Sequence, residues 1–219
     1  MEVYWQDKNI WDKLETNMLI DIKEVESHIY SMDYLNVQSP IECAYIKNIY
    51  NSARFLYFFE VEKYSKEEDY EEVYFQKFLD NDISSDDYYK YENSFKEMLS
   101  LLSSTGKTYI LFNTITDIEK NYPFLKSADI SIDTEFIKCN NGKLVQVFEN
   151  KTLKQIFTLI AREIIDSYLI FPGIKTVVVT SGMHGYLIAD AELDEKLLKK
   201  LSNYVQIKRI EQETDTKVF

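Results

Sequence analysis

The sequence predicts an α+β fold, with a helical N-terminal half followed by a mixed, largely antiparallel sheet that has helices packed on it. Apolar residues recur at helical spacing in the first half, and the spacing changes to two-residue alternation after Gly106. Glycine-containing turns at Asn141-Gly142 and Gly182–Gly185 separate β-rich runs in the second half. A hairpin–helix order occurs twice, which favours helices on one face of a sheet. The chain therefore divides into an acidic helical region (1–105), an α+β region (106–210) and a polar tail expected to fray (211–219).

Four helices are expected in residues 1–105. The first covers 8–35, where apolar residues follow helical spacing. Ser39, followed by Pro40 and by Glu42 three positions on, forms a capping box that begins a second helix. Its apolar stripe continues as far as Phe59. A third helix is expected at about 67–80.

The fourth helix has the clearest start. Ser84 or Ser85 can act as its N-cap, and Asp86 and Asp87 place negative charge in its first turn, where it complements the helix dipole. The apolar stripe then ends at the Ser103–Gly106 cluster, which is typical of a boundary between elements.

Strands and two further helices are expected after Gly106. Pro172 stops the first of these helices, and the second has an acidic first turn and a basic end. The expected strands are Thr108–Thr114, Ile130–Lys138, Lys143–Phe148, Val177–Thr180, Tyr186–Ala189 and Val205–Ile210. The expected helices are 152–171 and 191–203.

The net charge of −12 is carried by one half of the chain. Residues 1–105 contain 10 Lys and Arg against 22 Asp and Glu, whereas residues 106–219 contain 15 of each. An acidic field of this kind repels nucleic-acid backbones and attracts basic surfaces. We therefore expect a basic protein partner and no direct binding of nucleic acid.

The remaining composition indicates a cytoplasmic protein without a cofactor. No export signal and no uninterrupted apolar span is apparent, so no membrane segment is expected. Cys43 and Cys139 are then expected to be reduced thiols. Two histidines and no CxxC motif make a zinc site unexpected, and the oligomeric state stays open.

One motif suggests catalysis. Asp133 and Glu135 lie on one expected strand, and Glu149-Asn150-Lys151 follows on the next, with the glutamate and the lysine expected on one face. This order resembles the PD-(D/E)xK nuclease core, although Asn150 departs from the apolar residue usual there. The resemblance implies that Asp133 or Glu135 and Glu149 would hold a divalent metal and that Lys151 would stabilise charge near the attacking water. A metal-dependent nuclease is thus the alternative function.

A second motif has a simpler interpretation. Ser181 and His184 lie close together in Ser-Gly-Met-His-Gly, but the order is not the G-x-S-x-G nucleophile elbow. Two glycines are what a hairpin loop requires, so we interpret this segment as a turn rather than as a catalytic site.

The preferred function rests on the acidic region. Thirteen Asp and Glu residues lie between 57 and 97, interleaved with tyrosines, which supply an apolar body with a polar tip at interfaces. This pattern predicts a non-enzymatic protein that binds or inhibits a basic, nucleic-acid-processing partner, and its charge and size are similar to those of immunity and anti-defence proteins. A solvated helical face is the competing interpretation. The expected partner-binding residues are Glu67, Glu68, Asp69, Tyr70, Glu71, Glu72, Tyr74, Asp86 and Asp87.

Overall fold

The fold combines one antiparallel sheet with helices, as the α+β class requires. The computed structural model describes Trp11, Leu14 and residues 55–61, 78–80, 82–115 and 144–210. Within this part of the chain, seven strands form the sheet, and three α-helices are described from end to end; Trp11, Leu14, Phe78 and Leu79 are also helical. The expected capping box at Ser39, the hairpin strand Ile130–Lys138 and the tail 211–219 lie outside the described residues.

The sheet has the strand order β3-β2-β4-β5-β6-β1-β7, and every pairing is antiparallel. Its strands are β1 Phe55–Glu60, β2 Tyr109–Ile115, β3 Leu144–Gln146, β4 Ile165–Phe171, β5 Thr176–Ser181, β6 His184–Ala189 and β7 Gln206–Ile210. The helices are α1 Ser85–Ser103, α2 Asn150–Ala161 and α3 Glu195–Leu201, and a 3-10 turn covers Pro172–Ile174. Strand β1 precedes α1 in the chain and pairs with β6 and β7, so residues on both sides of position 105 share one sheet.

The helices cover one face of the sheet. Phe95 and Leu99 of α1 and Phe157 of α2 are fully or almost fully buried against the strands, together with Phe112 and Leu187. Burial of such side chains contributes about 1.5–3 kcal/mol each, so this layer contributes strongly to stability.

The opposite face of the sheet is also apolar. Leu56, Tyr168 and Ile188 lie there in one buried cluster with Trp11 and Leu14, both of which are helical. The indole of Trp11 donates a hydrogen bond to the Asp190 carboxylate, and the Tyr109 hydroxyl donates to the Leu14 carbonyl at 2.6 Å. These contacts join the start of the chain to the sheet, 95 residues or more away in sequence.

The expected helical N-terminal half is not supported. Phe55–Glu60, which we expected to end the second helix, is strand β1. Leu56 and Phe59 have helical spacing, but a short apolar run fits a strand equally well, and the sequence FLYFFE is rich in aromatic residues that favour strands. Both faces of β1 are covered, which explains why it shows no polar alternation.

The helix expected at 152–171 is wrong in its second half. Helix α2 ends at Ala161, Glu163 takes a left-handed φ of 54°, and Ile165–Phe171 forms β4 near the middle of the sheet. Apart from Asp166 and Ser167, this strand is an apolar run, which periodicity alone does not distinguish from a buried helix.

Several expected elements are confirmed. Helix α1 begins after the N-cap Ser84, carries Asp86 and Asp87 in its first turn and ends at Ser103. Strands β5 and β6 form the expected hairpin, in which Gly182 has the positive φ of 59° that the two-residue turn requires. Strands β2, β3 and β7 and helix α3 lie within a few residues of their expected positions.

Candidate functional site

The described part of the acidic region exposes an aromatic ring among aspartates. Residues 82–89 make the turn into α1 and its first helical turns, in which Asp82, Asp86 and Asp87 are exposed. Tyr89 is 41% exposed, whereas the adjacent Tyr88 is fully buried. We call Asp82, Asp86, Asp87 and Tyr89 the Tyr89 surface.

Successive residues of an α-helix lie about 100° apart, which explains the different fates of the two tyrosines. Tyr88 shares the apolar stripe of α1 with Phe95 and Leu99 and therefore points into the core. Tyr89 lies one position off that stripe, and its ring remains at the surface.

The ring of Tyr89 rests on two other aromatic rings. Its centroid lies 5.7 Å from that of Tyr88, at an edge-on angle of 72°, and 5.8 Å from that of Phe78. The rings of Phe78 and Tyr88 stack on each other at 4.5 Å. Such pairs stabilise by about 0.5–1.5 kcal/mol beyond the area that they bury, so the three rings support one another.

The three aspartates of the Tyr89 surface do not share one role. The backbone N–H of Asp87 donates to the Ser84 hydroxyl at 3.1 Å, and that hydroxyl donates to the Asp87 carboxylate at 2.6 Å. Asp87 therefore completes the N-terminal cap of α1. Asp82 and Asp86 have neither a hydrogen-bond partner nor an ion-pair partner within the described residues, so their charges face solvent.

A buried ionic network lies below this surface. Arg162 at the end of α2 donates through Nε to the Glu92 carboxylate of α1 at 2.6 Å, and both side chains are about 95% buried. Lys96 donates to the other Glu92 oxygen at 3.2 Å and is 20% exposed. The carboxylate of Glu92 therefore links the two helices through charge-assisted hydrogen bonds.

The network also fixes protonation states. Burial, together with the nearby Glu92 carboxylate, raises the pKa of Tyr88 far above its ordinary value, so the phenol keeps its proton. Burial alone would lower the pKa of Arg162, but the hydrogen bond and charge of Glu92 outweigh it, and the pKa is raised. Arg162 is therefore charged under all working conditions.

The structure describes only two of the nine expected partner-binding residues. Asp86 and Asp87 lie in the first turn of α1 and are exposed. The other seven, Glu67, Glu68, Asp69, Tyr70, Glu71, Glu72 and Tyr74, lie outside the described residues.

The nuclease residues are only half described. Asp133 and Glu135 lie outside the described part of the chain. Glu149 is the N-cap of α2 and accepts a hydrogen bond from the Thr152 hydroxyl at 2.8 Å, and Lys151 is exposed in the first turn. The expectation that Glu149 and Lys151 share one face of a strand is therefore wrong, because β3 ends at Gln146 and a helix follows.

No metal centre is apparent in the described residues. They contain no group of three or more His, Cys, Asp or Glu side chains able to ligate a metal ion. His184 lies opposite both Ser181 and Glu60 in the strand register, at the start of β6. Burial lowers the pKa of His184 to about 4, so the imidazole is neutral at physiological pH.

Sequence reasoning missed two residues whose helical phase could have identified them. Glu92 falls on the buried stripe of α1, between Tyr88 and Phe95, and a carboxylate at such a position requires a cationic partner. Tyr89 falls outside that stripe, which distinguishes it from the tyrosines that serve the core.

Comparison with known proteins assigns no family. No protein-family model matches the chain, and neither a curated protein nor a solved structure matches it. Among the helices of the described residues, none has the length and apolar composition needed to cross a bilayer.

Proposed function

We propose that this protein is a non-enzymatic interaction protein whose acidic region binds, and thereby inhibits, a basic protein partner. The observation that carries the proposal is the placement of the entire net charge of −12 in residues 1–105. The Tyr89 surface adds support, since it combines exposed aspartates with a half-exposed tyrosine. Tyrosine and complementary charge are both characteristic of protein interfaces.

Electrostatics favours a protein over a nucleic acid as the partner. A region with 22 acidic against 10 basic residues repels phosphate backbones, and it steers basic proteins towards itself at long range. The basic surface of a nucleic-acid-processing protein is the kind of target that this charge fits. Binding there would compete with the natural substrate for the same cations.

Affinity capture with matched charge reversals tests the proposal. The test variant is Asp82→Lys/Asp86→Lys, which reverses one exposed charge before α1 and one in its first turn. The control is Glu192→Lys/Glu195→Lys, which makes the same change before and within the first turn of α3. Both variants change the net charge equally. The control also removes the exposed ion pair between Glu192 and Arg209, which contributes little to stability.

We expect the immobilised parent and the control to retain the same basic protein from a lysate of the native host, and the test variant to lose it. Retention should fall as salt rises, because a Debye length of about 8 Å at physiological ionic strength screens exposed charges. Equal retention by the test variant and the control would contradict the proposal. A Mg²⁺-dependent nuclease activity of the parent, abolished by Glu149→Ala, would replace it with the alternative function.

A further inference from the structure

We propose that Tyr89 is the anchor of the docking surface and that its ring receives an arginine side chain of the basic partner. This inference rests on the proposed function and specifies the chemistry of the contact. An anchor is a residue that fills a pocket of the partner or stacks on one of its groups and contributes a large share of the binding energy.

The first argument is the support of the Tyr89 ring. Interface anchors bind well when they lose little conformational freedom on binding. The rings of Tyr88 and Phe78 lie against that of Tyr89, with centroids 5.7 Å and 5.8 Å away, and restrict its motion before any partner arrives. Of the ring-bearing side chains in this cluster, Tyr89 has 41% of its surface exposed and Tyr88 none.

The second argument is the rigidity of the layer below. Tyr88 is buried next to the Glu92–Arg162 pair. In this pair, the Arg162 Nε donates a hydrogen bond of 2.6 Å to the Glu92 carboxylate and so joins α2 to α1. The rings of Tyr88 and Phe78 that support Tyr89 therefore pack against the core rather than against a surface loop. Side chains held by such a layer keep their geometry when a partner binds.

The third argument is the negative charge close to Tyr89 in the chain, since Asp86 lies three residues before it on α1 and therefore on the same side of the helix. Asp82 and Asp86 are exposed, and within the described residues neither has an ion-pair partner, so both are available to a cation. A guanidinium group can stack on an aromatic ring and at the same time form two parallel hydrogen bonds with a carboxylate. Arginine suits this combination better than lysine, whose compact ammonium group is strongly hydrated.

Two basic probe peptides of equal charge test the inference. A fluorescently labelled hexa-arginine peptide and its hexa-lysine counterpart are titrated with the full-length protein, and anisotropy reports binding. The variants are Tyr89→Ala, Tyr89→Phe and the control Tyr204→Ala. Tyr204 is a suitable control because it is 37% exposed, close to the value for Tyr89, and lies in the charge-balanced half of the chain.

We expect the parent to bind the arginine peptide more tightly than the lysine peptide. Tyr89→Ala should weaken arginine binding by about fivefold and remove the preference, as loss of a partly exposed cation–π contact predicts. Tyr89→Phe keeps the ring face and should stay within about twofold of the parent. Tyr204→Ala should bind both peptides as the parent does.

The outcomes separate the anchor from the acidic surface as a whole. If Asp82→Lys/Asp86→Lys weakens binding but Tyr89→Ala does not, the proposal that Tyr89 is the anchor is refuted and the proposed function stands. An equal loss on Tyr204→Ala also overturns the anchor, since it would show a general effect of exposed rings. If the parent binds neither peptide, both proposals fail. Circular dichroism of each variant, compared with Tyr89→Phe, identifies any loss of fold.

Discussion

Removing one member of the buried Glu92–Arg162 pair should be strongly destabilising. Both side chains are about 95% buried, so either substitution leaves a charge without its main partner in a medium of low polarity. Such a change costs about 3–5 kcal/mol, a large part of the total stability of about 5–15 kcal/mol expected for a folded protein.

The two single substitutions should differ in cost because Glu92 has a second cation, Lys96, within hydrogen-bonding distance. In Arg162→Met, Glu92 keeps Lys96 at 3.2 Å, and we expect a loss of about 2–3 kcal/mol. In Glu92→Leu, the buried guanidinium loses its carboxylate, and we expect about 4 kcal/mol. The double variant replaces both charges by apolar groups and should cost no more than Glu92→Leu alone.

Guanidinium-induced unfolding of the four proteins, followed by circular dichroism, measures the coupling. The values above give a coupling free energy of about 2–3 kcal/mol. Glu97 and Lys154 provide a control, since they also join α1 to α2, at 3.3 Å, but are roughly half exposed. Solvent screening should reduce their coupling to about 0–0.5 kcal/mol. Additive losses at Glu92 and Arg162, or a coupling as small as that of the exposed pair, would refute the reasoning.

Three further predictions concern local structure. Ser84→Ala should lower the free energy of unfolding by about 1 kcal/mol through loss of the α1 cap, and the neighbouring Ser85→Ala by much less; equal midpoints in urea would contradict this. Gly182→Ala should lower the free energy of unfolding by about 1–2 kcal/mol, because φ is 59° and the added Cβ would lie 2.5 Å from the Glu163 carboxylate. The control Gly173→Ala, at an exposed position, should leave it nearly unchanged in the same assay. The pKa of His184 is about 4 in the folded state against an ordinary 6.5, so the unfolded state binds its proton first as the pH falls. The free energy of unfolding should therefore fall by about 1–3 kcal/mol between about pH 6.5 and pH 4, and His184 should have no effect on it above that range. A parent and a His184→Gln variant with the same acid dependence would show that the imidazole is not responsible.

The ends of α1 were predicted from the sequence because capping and helix-stopping residues lie at both of them. Ser84 and the two aspartates after it determine the start of α1, and a serine-rich segment determines its end at Ser103. These signals are local, so they need no knowledge of what the helix packs against.

The two strands that were mistaken for helices, β1 and β4, are buried on both faces, as are β5 and β6, which glycine-containing turn residues marked as a hairpin. The strands β1 and β4 lie inside the sheet, with apolar clusters on either side, and most of their residues are therefore apolar. The exceptions are Glu60 in β1 and Asp166 and Ser167 in β4. Phe55–Glu60 pairs with β6, whose residues lie more than 120 positions later in the chain. The local spacing of apolar residues cannot predict such a long-range pairing.

The candidate site was predictable in its charge but not in its geometry. The acidic composition around Asp86 is visible in the sequence, whereas the support of Tyr89 by two rings depends on the approach of Phe78 to α1. Similarly, Glu92 is visibly out of place on an apolar stripe, but its partner Arg162 lies 70 residues away.

The central claim is that charge in residues 1–105 drives binding to a basic partner. The most direct test is the association rate with the captured partner, measured by stopped-flow over a range of salt concentrations, for the parent and for a variant with lysine at four acidic positions. These positions are Glu67, Glu68, Glu71 and Glu72. We predict a rate that falls steeply with salt for the parent, and a much slower and less salt-dependent rate for the variant. Identical rates for the two proteins, independent of salt, would contradict the claim.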